Sequence, residues 1–143
     1  MTVLDMLKDF FRKENYPFVL LFGSWSNGTQ TDQSDVDIGL FFEKEVDYKD
    51  LGYQSAMLEK RVGKKIDMIA LNDIYKKDPF FAFEILKSHT PVLLNDEEAY
   101  LRFKTSCQLY YLDAKPLIKM NEKAFAERIE NDRIGERNFA ATT

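Results

Sequence analysis

The run Leu21-Phe22-Gly23-Ser24-Trp25-Ser26-Asn27-Gly28-Thr29-Gln30-Thr31-Asp32-Gln33-Ser34-Asp35-Val36-Asp37 joins two apolar segments through a polar loop. Before it, Phe18 to Phe22 is an unbroken apolar stretch of strand length that stops at Gly23. After it, Asp35 to Phe42 alternates, with Val36, Ile38, Leu40 and Phe42 on one face and Asp35, Asp37, Gly39 and Phe41 on the other. A Gly-Ser pair therefore leaves one predicted strand, and an Asp-x-Asp enters the next. Between them the abundance of Gly, Ser, Thr, Asn and Asp predicts a loop with one helical turn near its start.

Working outward, Leu4, Leu7 and Phe11 recur at helical spacing, which predicts an amphipathic helix from about Thr2 to Glu14. Asp50 to Val62 fits a second helix closed by Gly63, and Lys65 to Leu71 returns as a strand containing Asp67. Asp78-Pro79 is a helix start, with His89-Thr90-Pro91 as the break that ends it. Val92 to Leu94 adds a short edge strand. From Asp96 to about Asp132 the pattern is helical, with Tyr100, Phe103, Cys107, Tyr110 and Tyr111 as an apolar stripe. Pro116 predicts two helices there rather than one. The expected fold is an α/β (α+β) domain: a small mixed β-sheet core over residues 1–95 with packed helices, a helical C-terminal extension of the same domain over 96–134, and a frayed tail over 135–143.

Composition narrows the function. The chain has 143 residues, 45% of them hydrophobic, which suits a single core. A net charge of -4 gives no global positive field to hold nucleic acid by counterion release. Every apolar run is broken before it reaches the length of a bilayer, and the N-terminus lacks the pattern of a secretory signal. The single cysteine, Cys107, has no disulfide partner within the chain, so the expected address is cytoplasmic.

Each part of the Gly-Ser to Asp-x-Asp segment has a chemical use. Gly23 lacks a Cβ, so a phosphate can approach the backbone, and Ser24 adds a hydroxyl donor. Asp35 and Asp37, two apart on a strand, project from one face and can share divalent cations with phosphate oxygens. Asp67, on another strand of the same sheet, would bring a third carboxylate, to ligate a second metal and take the proton from an acceptor hydroxyl. Any one fragment alone is ordinary loop chemistry; the combination at this spacing, between strands, is not.

Gly23-Ser24, ten residues, Asp35-Val36-Asp37, with Ser34 before the first Asp and an apolar strand after it, resembles the signature of the DNA polymerase β-like nucleotidyltransferases. Within them the small size resembles the minimal nucleotidyltransferases (MNT). The stretch Tyr110 to Leu117, in a helical region after Val92-Leu93-Leu94-Asn95, is similar to that of MNT antitoxins paired with HEPN ribonuclease toxins. The resemblance implies a Mg²⁺-dependent protein adenylyltransferase that moves AMP from ATP to a tyrosine of the toxin, with which it forms a hetero-oligomer. It further implies Gly23 and Ser24 as the nucleotide-binding pair and Asp35, Asp37 and Asp67 as catalytic metal ligands. A small-molecule or RNA-end acceptor, and a non-catalytic docking antitoxin, are the alternatives. One departure stands out: many such proteins carry arginine just after Gly-Ser, where this chain has Trp25.

Other groups have plainer readings. Lys60, Arg61, Lys64 and Lys65 suit a helix C-terminus and a solvated turn. His89 suits a surface or capping position, and Cys107 suits packing. Trp25 is open between flanking a nucleotide and capping the core. Tyr100, Tyr110 and Tyr111 are open between the core and a partner-binding face.

Overall fold

The computed structural model describes the backbone of residues 1–131 and the side chains of residues 1–115. Ten elements run in the order α1 (Val3–Phe11), β1 (Phe18–Phe22), α2 (Ser24–Asn27), β2 (Val36–Phe41), α3 (Tyr48–Val62), β3 (Ile66–Ala70), α4 (Ile74–Lys77), α5 (Pro79–Lys87), β4 (His89–Leu94) and α6 (Glu97–Asn131). The expected tail over 135–143 lies outside the described residues.

The four strands form one mixed sheet in the order β3-β2-β1-β4, with β2 and β3 parallel and β1 antiparallel to both β2 and β4. Helices cover both faces. On one side Leu7 and Phe11 of α1 and Leu58 of α3 pack against Val19, Leu21, Val36, Ile38 and Leu40. On the other, Ala82 and Ile85 of α5 and Ala99, Phe103 and Cys107 of α6 pack against Phe18, Leu20 and Phe22. Central β1 is thus buried on both faces, which is why its sequence is apolar without alternation. Each such Leu or Phe contributes roughly 1.5–3 kcal/mol by leaving water.

Helix boundaries follow local chemistry. Thr2 and Asp5 form a capping box, each side chain accepting from the other's backbone N–H, at 3.1 Å to Thr2 Oγ1 and 3.2 Å to Asp5 Oδ2. Asp47 caps α3 through the N–H of Asp50, and Gly63 ends it in the left-handed conformation at φ 76°. Asp78 caps α5, with Pro79 in the first turn.

Two expectations change. His89-Thr90-Pro91 does not merely end α5; it opens β4, whose Pro91 sits at an edge strand beside a register shift, where no ladder N–H is required of it. Pro116 falls inside α6, which continues as one element to Asn131 rather than two helices. The helix formers on both sides of it, and docking of the first half of α6 on the sheet, carry the helix through. On the Asp37 face of β2, Gly39 lies beneath Leu71 and Phe41 stacks on Phe18 at 4.6 Å. Short α4, opened by Asp73 at φ 61°, has too few residues for a periodic signal.

Candidate active site

At one end of the sheet the backbone register puts three segments side by side. Phe22, the last residue of β1, pairs with Asp37 of β2, and Asp37 pairs with Asp67 of β3. Neighbouring strands lie about 4.8 Å apart, so Gly23, Asp37 and Asp67 stand in a row across the sheet. Asp35 is one residue outside β2 and is exposed, 3.9 Å from Lys65 Nζ. Ser24 opens α2 immediately after Gly23.

Gly23 is the tightest point of the row. Its φ of 74° and ψ of -153° lie in a region essentially reserved for glycine. A Cβ there would come within 2.2 Å of Asp37 Oδ2. The glycine therefore does two things at once: it turns the chain from β1 into α2, and it lets the Asp37 carboxylate lie against the backbone.

Asp37 is half-buried, and its carboxyl is raised above the usual carboxylate range, first by burial and then by the negative charges of Asp67 and Asp35. The three acids share one electrostatic neighbourhood. They are not a ready-made cage, since among the described residues no three His, Cys, Asp or Glu side chains group closely enough to hold an ion by themselves. Magnesium fits such a donor set, because it keeps several waters and is commonly held by one or two carboxylates together with substrate phosphate oxygens. Asp37 and Asp67 would hold it, with Asp35 beside them.

A cavity of about 250 Å³ opens on this face, lined among others by Gly23, Asn27, Asp37, Asp67, Phe81 and Glu84. Ser24 and Asp35 are not in its lining. Sequence reasoning did not place Asn27 or the α5 residues Phe81 and Glu84 at the site. Nothing local marks them, because α5 reaches the site only by packing under the sheet.

The remaining candidates fall mostly into the scaffold. Trp25 packs on the α1–α3 core, donates from Nε1 to the Ser34 carbonyl at 3.3 Å, and carries Lys64 Nζ 5.3 Å above its ring. Arg61 pairs with Asp9 of α1. His89 Nδ1 donates to the Ile85 carbonyl at 2.9 Å, so in the neutral ring Nε2 accepts from the Tyr100 hydroxyl at 2.6 Å. Tyr111 stacks on Phe83 at 3.8 Å.

Known proteins resemble this chain in sequence and in fold. The family described as "Polymerase beta, Nucleotidyltransferase" matches residues 5–98. A protein of Methanocaldococcus jannaschii, described provisionally as a protein adenylyltransferase, is 33% identical over 82 residues, covering 52% of this chain and 95% of that one. The fold is shared with a chain of a toxin–antitoxin crystal structure containing AMP-PNP, at a TM-score of 0.57 and 19% identity, over 90% of this chain and 96% of that one. It is also shared with a chain of a complex of tri-AMPylated Shewanella oneidensis HEPN toxin and MNT antitoxin, at a TM-score of 0.51 and 15% identity, over 91% and 94% of the two chains. Because the family match spans α1 through the start of α6 and takes in the Gly23, Asp37 and Asp67 row, this chain belongs to the polymerase β nucleotidyltransferase family.

Proposed function

We propose that this protein is a Mg²⁺-dependent antitoxin that transfers AMP from ATP to a tyrosine hydroxyl of a HEPN ribonuclease toxin, its stable partner, and so silences it. The observation that carries the reading is the row in which the Asp37 carboxylate lies against Gly23 on one side and pairs in register with Asp67 on the other. The family membership, the adenylyltransferase relative and the fold shared with toxin–antitoxin chains support it.

In the proposed reaction the acceptor oxygen forms a bond to the α-phosphorus while the bond from that phosphorus to the pyrophosphate oxygen breaks. Gly23 and Ser24 bind the outer phosphates at the start of α2. Asp37 and Asp67, flanked by Asp35, would hold magnesium, which would neutralise charge on the phosphate oxygens. Asp67 takes the proton of the attacking hydroxyl, and pyrophosphate leaves on the Ser24 side.

The test is incubation with the partner toxin, ATP and Mg²⁺, followed by mass spectrometry. An added AMP on a toxin tyrosine is expected, and Asp35→Ala/Asp37→Ala should slow its appearance by at least about a hundredfold. A second reading, inhibition by docking alone, is favoured by Trp25, which brings no charge to the position after Gly-Ser and is tied back to Ser34. Full inhibition by the double mutant, with no adduct from either protein, would decide for docking.

A further inference from the structure

The cavity beside the carboxylates has an apolar wall for which phosphate and metal chemistry gives no reason. Ile69 lies two residues beyond Asp67 on β3, on the same face, and Phe81 and Ile85 face it from α5. Phe81 is 37% exposed, although its backbone is fixed in the first turn of α5, where its N–H donates to Asp78 Oδ1 at 3.1 Å. Its ring meets Phe22 edge-on, with centroids 5.8 Å apart at 74°. An aromatic ring held this firmly yet left open to a cavity is a preformed contact surface.

Size and direction point to what it contacts. A cavity of about 150 Å³ can take up benzene, so the space here, about 250 Å³, holds one six-membered ring with a hydroxyl. The row across the sheet sets the direction. If pyrophosphate leaves toward Ser24 on the β1 side, an in-line attacking oxygen enters from the β3 side, where Asp67 stands. Ile69 lies next along that strand.

We infer that Phe81, with Ile69 and Ile85 opposite and beneath, is the specificity-determining residue that seats the ring of a phenolic acceptor and aims its hydroxyl at Asp67. The inference rests on the adenylyl-transfer reading and adds to it the surface that selects an aromatic acceptor over an aliphatic one.

The probe is 4-methylphenol, titrated in the millimolar range into the full chain carrying ¹³C-labelled isoleucine methyls. Ile69 and Ile85 methyl resonances should move together. Phe81→Ala should weaken the binding about three- to tenfold, the size expected for loss of one aromatic contact, and Phe81→Tyr, which keeps the ring, should restore it. With the toxin as acceptor, Phe81→Ala should raise KM for the toxin and leave KM for ATP in place. No movement of either methyl up to tens of millimolar, or displacement of 4-methylphenol from these methyls by adenosine, would overturn the assignment. Methyl shifts without AMP transfer would support the ring slot and count against adenylyl transfer alone. Transfer without the shifts would sink the ring slot alone.

Discussion

Gly23 and Asp37 stand so close that a single methyl group on Gly23 would clash with the carboxylate. Gly23→Ala would put a Cβ 2.2 Å from Asp37 Oδ2 at a backbone conformation that other residues avoid. We expect a loss of about 1–3 kcal/mol in stability, seen as a lower denaturant midpoint, together with loss of AMP transfer as the carboxylate is pushed aside. Asp37 itself carries the opposite tension. Burial and two acidic neighbours make its ionised form unfavourable in the folded state. The unfolded chain releases this proton at lower pH than the native site does, so stability falls as pH rises from the ordinary carboxylate pKa through the raised one. Asp37→Asn removes that decline. In metal-free buffer it should raise the melting temperature at pH 7, with the gain fading below the ordinary carboxylate range, while transfer is lost. A variant that melts lower than wild type at pH 7 would show that the strain is not there.

At the level of elements, helix α3 offers two glycines with opposite consequences. Gly52 lies in its exposed interior, with open space where a Cβ would stand, so Gly52→Ala should stabilise by about 0.5–1 kcal/mol through helix propensity. Gly63 also has open space, yet it ends the helix at φ 76°, and Gly63→Ala should destabilise by about 1 kcal/mol. Chemical denaturation of the two variants side by side measures the contrast, and equal effects would refute the conformational explanation. Gly63 was legible as a stop because a glycine after a charged helical run is a common C-terminal signal. Helix α5 was legible at its Asp78-Pro79 start for a similar reason. The start of β4 was not, since His89-Thr90-Pro91 reads only as a helix break until His89–Leu94 is seen to pair along β1.

Across the whole molecule, the first part of α6 anchors the second helical layer through Ala99, Phe103 and Cys107, spaced four apart, of which Phe103 and Cys107 lie on the stripe expected from the sequence. Cys107 is fully buried, and burial pushes its thiol up to about 12. Native protein should therefore react with a disulfide exchange reagent only as fast as it unfolds. Labelling within seconds under native conditions would mean that α6 detaches from the sheet. The strands, the helix caps and the spacing from Gly-Ser to Asp-x-Asp could be read from the sequence because each depends on neighbours a few residues away: alternation, capping side chains and a glycine turn. What only the tertiary structure decided is which strands pair and what α5 faces. Asp67 reaches Asp37 through a parallel register, and Phe81 reaches the same cavity from a helix 44 residues beyond Asp37 in the chain. Such contacts arise from packing two helical layers onto one sheet, a global balance of buried surface that no local pattern encodes.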